Sequence, residues 1–268
     1  MEYKTLDGYG VNMSNSNLTS VLAAVALSWS LTTAAIAEDP KYSLSVGYDH
    51  SSGDYGSTET TDIKFIPITG KIERDAWTLK VSVPWIEIDG PGSLIADGEL
   101  VAGPDANRSG LGDITASASY LIYPWIENGP FLELTGKIKA PTADDAKGLG
   151  TGAVDGTGTL SAFQSFGRFM VFADASYRWR GQPEAYSLQD GYLASIGGSW
   201  KFSATESAGL IYSFRESATG SSEDPADIMP YFNIKTSDNW SMNLYGTFGL
   251  SDNSPESGVG ISVKRSFR

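Results

Sequence analysis

The sequence predicts an all-β fold, a transmembrane, antiparallel, up-and-down β-barrel of about twelve strands. Three observations predict it. Alternating apolar and polar runs recur from residue 41 to the C-terminus. The connections between them are alternately short and long, without exception. The apolar faces carry tryptophan at their ends. The clearest run sets Trp77, Leu79, Val81, Val83 and Trp85 on one face and Thr78, Lys80, Ser82 and Pro84 on the other. A period of two gives each set its own side of a strand. An apolar face bounded by Trp fits lipid outside, a polar lumen inside and an aromatic belt at each interface.

From the N-terminus, residues 1–37 read as a secretory signal peptide, with Met13 as an alternative start. An apolar stretch from Val21 to Leu31 ends in Ala35-Ile36-Ala37, a cleavage pattern of small residues, and Glu38-Asp39-Pro40 follow. Only Lys4 is basic before that stretch, a departure from the usual pattern. Residues 38–268 are then the barrel. Later apolar runs are too short for a spanning helix, which needs about 20 residues. Barrel strands alternate, so hydropathy averages hide them.

The candidate strands are 41–50, 60–69, 76–86, 111–125, 130–140 and 154–165, then 169–180, 192–202, 207–216, 227–236, 240–250 and 258–267. The first sets Tyr48 outward and Asp49 inward. The second is read with Asp62 and Lys64 inward, the third with Lys80 inward. The fourth and sixth carry the inward acids Asp113 and Asp155. The fifth has Leu134 toward lipid and Glu133, Lys137 and Lys139 toward the lumen. The seventh has Val171 outward and Asp174, Arg178 and Arg180 inward. The eighth and eleventh turn Ile196 and Leu244 to lipid and the ninth turns Arg215 inward. In the twelfth, Val259, Ile261 and Val263 alternate with Gly260, Ser262 and Lys264, and Phe267 continues the outward register. Outer-membrane barrels resemble one another in ending on such an aromatic, so Phe267 is the candidate assembly signal, although Arg268 follows it.

The aromatic girdle agrees with the connection lengths. Trp77, Trp125, Trp200 and Trp240 sit beside short turns, and Trp85 and Trp179 beside long loops. Short turns are periplasmic and long loops external in bacterial outer-membrane barrels. The run from Trp77 to Trp85 covers about 26 Å at roughly 3.3 Å per residue, and tilt shortens it toward the apolar band of such barrels. The long connection 87–110 is the candidate plug, because it carries Leu94, Ile95, Leu100 and Val101.

The protein has no cysteine, so export brings no disulfide, and its net charge of −13 argues against a nucleic-acid partner. The acidic excess lies in the long loops, at Asp97, Glu99, Asp144, Asp145, Glu223 and Asp224. More than half of the 19 Lys and Arg residues face inward in this reading, among them Lys64, Lys80, Lys137, Lys139, Arg178, Arg180 and Arg215, with Asp174 opposing them. Two readings stand at this point. Basic rings raise the local concentration of anions. Alternatively, the bases pair with inward acids and fill a narrow barrel.

Other sites are set aside. His50 and Ser52 share a face at the outer end of the first strand, a placement that an outer-leaflet lipid-modifying enzyme would use, but Ser51-Ser52-Gly53-Asp54 reads as a loop tip. Gly148-Leu149-Gly150-Thr151-Gly152 lacks the ending of a phosphate loop and reads as a flexible outer loop. Asp144-Asp145 and Glu223-Asp224 match no metal-loop spacing and read as solvated acids. No cofactor and no metal are expected.

Several segments resemble a family of bacterial outer-membrane barrels labelled MetA-pathway of phenol degradation. They are 46–56, beginning Val46-Gly47-Tyr48, the Trp77–Trp85 run, Gly110-Leu111-Gly112-Asp113-Ile114, 137–145 from Lys137 to Asp145, and Lys147-Gly148-Leu149-Gly150-Thr151-Gly152. The resemblance implies a monomeric barrel in the outer membrane of a Gram-negative bacterium, surrounded by lipid and inserted by the barrel-assembly machinery. It implies passive passage of small molecules and supplies no catalytic residues. The expected function is a channel for a small anionic or aromatic solute. A closed structural barrel is the alternative and an outer-leaflet lipid enzyme the third reading.

Overall fold

The computed structural model describes residues 39–267, apart from 95–98, 102, 105, 185–186 and 221. The signal peptide expected over 1–37 lies outside the described residues. Twelve strands form the wall. They are β1 (Lys41–Gly53), β2 (Thr61–Arg74), β3 (Trp77–Asp89), β4 in two pieces (Arg108–Leu111 and Ile114–Ile122), β5 (Phe131–Ala140) and β6 (Asp155–Phe166). The second half comprises β7 (Phe169–Trp179), β8 (Gly191–Lys201), β9 (Glu206–Arg215), β10 (Ala226–Lys235), β11 (Trp240–Gly249) and β12 (Ser257–Phe267). Each strand pairs antiparallel with the next, and β1 pairs with β12 from Tyr42↔Phe267 to Ser52↔Ser257. That last pairing closes the sheet, so every strand is satisfied on both edges, as a spanning β-structure requires.

Tight turns join the strands at one end. Asp75, Asn128 and Gly167 adopt left-handed backbone there, at φ of 53°, 57° and 65°, a conformation that Asp, Asn and Gly tolerate best. At the opposite end the long loops fold back over the mouth.

The outward face is the expected apolar belt. Leu44, Val46, Tyr48, Ile68, Leu79 and Val81 are exposed on β1–β3, as are Leu134, Leu160, Ile196, Leu244 and Ile261 further round. An exposed apolar band of this extent on every strand is stable only against lipid.

The structure corrects three readings. On β2, Asp62 and Lys64 face outward. Lys64 Nζ meets Glu87 at 2.8 Å with 43% of its side chain exposed, and His50 Nε2 lies 3.7 Å from Asp62. The physical reason is an inversion of pattern. Above Tyr48 and Trp85 the first three strands continue past the apolar belt, and their polar side turns out. Inward Ile63, Ile86 and Ile88 pack there with Tyr55 and Leu149. Second, the glycine-rich 148–152 is no free loop, since Gly148, Leu149, Gly150 and Thr151 are buried. Third, β4 is broken. Trp85 faces Leu111 and Ser82 faces Thr115, so three residues of β4 oppose two of β3. Pro84 has no N–H for the ladder, and its carbonyl accepts the Gly112 N–H at 2.9 Å. This is a β-bulge. A Cβ on Gly112 would lie 2.3 Å from Ile86 Cδ1, so Ile86 would have to shift to admit one.

Candidate functional site

The bulge turns Asp113 into the outer mouth. There Lys139 Nζ sits 2.9 Å from Asp113 and 3.0 Å from Asp155, and donates to Thr151 Oγ1 at 2.8 Å. Asp113 Oδ1 also accepts the backbone N–H groups of Thr142 and Ala143. Thr142 Oγ1 accepts from Ile114 N and donates to the Gly112 carbonyl. Bulge, Lys139 and the glycine-rich turn thus form one buried knot, in which each charge has several partners.

Described residues of the connection between β3 and β4 also reach the mouth. The connection carries a small hairpin pairing Ser93–Leu94 with Leu100–Val101. Arg108 ties the base of the loop by donating to the carbonyls of Gly90, Gly92 and Ala106. On the far wall, Glu99 accepts from Ser217 Oγ at 2.8 Å and Ala218 N at 2.7 Å, and faces Arg180 at 3.7 Å. Val101 packs with Leu188 and Ala218. Glu99 and Val101 thus reach from the β3–β4 connection to the loops beside β7–β10. Burial lowers the Arg180 guanidinium from its usual value, against the opposing pull of Glu99, Asp155 and Asp190. Burial likewise pushes up the phenol of Tyr55, which donates to Ser51 Oγ at 3.0 Å.

Lys80, Lys137, Lys139, Asp174, Arg178, Arg180 and Arg215 all face the interior, whereas Lys64 does not. Arg215 pairs with Asp227 at 3.2 Å, and Arg178 Nε donates to Thr157 Oγ1 at 3.4 Å. Asp174 accepts from Ser195 Oγ at 2.7 Å. The outer half of the lumen is thus dense with ion pairs. Short of the mouth, on β3 and β5, Lys80 and Lys137 remain half-buried. Lys71 is there too, 2.9 Å from Glu73. The sequence reading ended the second strand at residue 69 and missed Lys71. The register read from Asp62 and Lys64 would turn residue 71 outward, and the observed inward register of Thr61 and Ile63 is what places Lys71 inside. Glu99 was read only as one of the loop acids and Arg108 was missed, since 87–110 was read as a loop, where no period betrays direction.

The six tryptophans are exposed on the outer face, Trp77, Trp200 and Trp240 at the tight-turn end of the wall, Trp85 and Trp179 at the other, and Trp125 beyond β4. Phe267 faces outward in β12, and the Arg265 guanidinium lies 5.0 Å from its ring and 5.4 Å from Trp240.

A family profile described as "Putative MetA-pathway of phenol degradation" matches residues 53–264. No curated protein matches the chain. Among solved structures, the chain is similar to the COG4313 outer membrane channel from Pseudomonas putida F1, with a TM-score of 0.65, 17% identity, and coverage of 87% of this chain and 97% of that one. It is also similar to the KdgM porin, with a TM-score of 0.53, 12% identity, and coverage of 84% and 99%. The translocator domain of the autotransporter NalP from Neisseria meningitidis matches at a TM-score of 0.52 and 9% identity over 86% and 88%. At these identities the likeness is one of fold, that of outer-membrane β-barrels.

Proposed function

The chain belongs to the MetA-pathway of phenol degradation family, an outer-membrane barrel, and from that premise we propose that it is a passive channel for small solutes with a preference for anions. The observation that carries this reading is the contrast across the wall. Apolar residues cover the outside, while Lys80 and Lys137 stand half-buried on the inward face. Fixed cations in a narrow lumen attract anions and repel cations. The aromatic-solute reading has less support, because the inward Phe163 and Phe172 are each 2% exposed and thus covered by neighbouring side chains. Catalysis at His50 has less still. Its Nε2 faces Asp62, and a serine base needs that nitrogen for the hydroxyl. The protein works as a monomer, held by lipid at its tryptophan girdle and delivered by the assembly machinery through Phe267.

Single-channel recording in a planar bilayer tests the reading. Under a KCl gradient the reversal potential should report anion preference. Replacing Lys137 and Arg178 together by Glu should move it toward cation preference, most at low salt, where screening is weakest. Assembled protein that never conducts would favour a closed structural barrel. An unmoved reversal potential in the conducting variant would show that these bases only fill space.

A further inference from the structure

The lipid-facing side of the wall is hollow over β4–β6. Leu79 of β3 stands opposite Ala118 of β4, Ala118 opposite Gly136 of β5, and Gly136 opposite Gly158 of β6. Gly158 in turn stands opposite Tyr177 of β7, and Tyr177 opposite Tyr192 of β8. Three neighbouring strands thus present only Ala118, Gly136 and Gly158 at this level, between large side chains. One step toward the periplasmic end the wall is bulky, since Trp77, Tyr120, Leu134 and Leu160 follow one another across β3–β6. One step toward the outer end, Ile138 and Trp179 stand exposed. The result is a groove of about 830 Å³ that runs from Trp77 and Tyr120 to Tyr177 and Tyr192, with the backbone around Gly136 and Gly158 as its floor. That volume lies in the range of ligand clefts.

The floor is open and the walls are fixed. A Cβ on Gly136 would meet no described atom within 4 Å, and one on Gly158 would meet Trp179 at 3.6 Å. The bordering rings hold one another edge to face, Trp77–Tyr120 at 4.9 Å, Tyr177–Tyr192 at 4.9 Å and Tyr177–Trp179 at 5.1 Å. The backbone of the floor is engaged in ladders on both sides, so it offers an occupant apolar contact and no hydrogen bond. The groove belongs to the apolar belt, where the surrounding medium is lipid hydrocarbon. Strands of such barrels tilt by roughly 35–45°, so a groove perpendicular to them climbs from the periplasmic girdle at Trp77 into the membrane. Gly136 lies midway along β5.

Charge at the two ends gives the occupant a direction. Trp77 stands opposite Arg74, the last residue of β2, which is in outward register with Ile68 and Ile72. The Arg74 side chain is 61% exposed, and its Nε is 3.9 Å from Asp75, too far for a hydrogen bond. A guanidinium beside a girdle tryptophan sits at the level of lipid headgroups, and its planar fork matches a phosphate. The outer end repels one. There Asp190 accepts from the Tyr177 hydroxyl at 3.4 Å and Glu216 from Tyr192 N at 2.7 Å. We propose that this groove binds a glycerophospholipid of the periplasmic leaflet, with Arg74 on its phosphate and an acyl chain laid past Trp77 over Gly136 and Gly158.

The site lies outside the lumen, so it holds whether or not the barrel conducts. The purified protein, freed of lipid in dodecyl maltoside, is titrated with phosphatidylglycerol, and bound lipid is counted by native mass spectrometry. Wild type should retain one phosphatidylglycerol per chain, and a diacylglycerol with the same chains and no phosphate should bind at least tenfold more weakly. Gly136→Leu puts a side chain on the floor where the space is open, and should weaken retention at least tenfold. Arg74→Gln should do the same from the end of the groove, and carries the test if the filled barrel fails to assemble. Gly70→Leu, at an outward glycine of β2 that also has open space above it, should retain lipid like wild type. Retention that survives Gly136→Leu or Arg74→Gln, or equal retention of the diacylglycerol, overturns the proposal. A lipid-free dimer of wild type that Gly136→Leu dissociates would give the groove to a second copy of the chain and overturn it as well.

Discussion

The outer mouth and the lumen short of it use the same residue types in different surroundings. At the mouth, Lys139 is enclosed by Asp113, Asp155 and Thr151, and Glu99 by Ser217, Ala218 and Arg180. Every one of those charges holds a loop to the wall. Deeper in, Lys80 and Lys137 retain contact with solvent. The lysine in the knot is enclosed by protein partners, whereas Lys80 and Lys137 are only half-buried. The comparison also explains the segments on which the family resemblance rests. Gly112, Asp113, Lys139, Thr142 and Thr151 converge in the knot, so they specify architecture rather than solute.

The largest expected effect breaks the knot. Lys139→Ala leaves two buried carboxylates without their shared cation, and removing one partner of a buried ion pair costs about 3–5 kcal/mol. Urea unfolding in detergent should show that loss, and a midpoint near wild type would mean the knot is not structural. Next comes the lipid face as the reference for both regions. Val171→Arg places a charge in the membrane at a cost of about 2–4 kcal/mol. It should impair assembly far more than Asp174→Arg on the inward face of the same strand. Similar amounts of both variants in the outer membrane would refute the facing assignment. An effect of comparable size follows from Glu99→Ala, which removes two hydrogen bonds to a charged group, each worth about 1.5–3 kcal/mol. The loop should then leave the mouth more often, with longer open times in single-channel records. Unchanged gating would show that Glu99 does not latch the loop. The smallest change in stability is expected for Lys80→Gln, which should unfold closer to wild type than Lys139→Ala while it weakens anion selectivity. The reverse ranking would erase the distinction between mouth and lumen.

The sequence by itself determined the barrel, its strand number and the end of the wall at which each girdle tryptophan lies. Those features follow from a period of two, from connection lengths and from the placement of large aromatics, all local in the chain. It also set Lys80, Lys137, Arg178 and their neighbours inward, since alternation alone decides that where one face is apolar. It failed at Lys64, because in the outer half of β2 both faces carry apolar residues, and only packing chose Ile63 and Phe65 for the inside. The tertiary structure alone decided which residues stand side by side across strands and which are tied in the knot. Register is a relation between strands, set by the turn that joins each pair, by the bulge at Gly112 and by barrel closure through β1 and β12. No pattern along one strand encodes its height against the next. Alignment of Gly136 with Gly158 is thus a property of the closed sheet, although each was already legible as a strand residue in the chain.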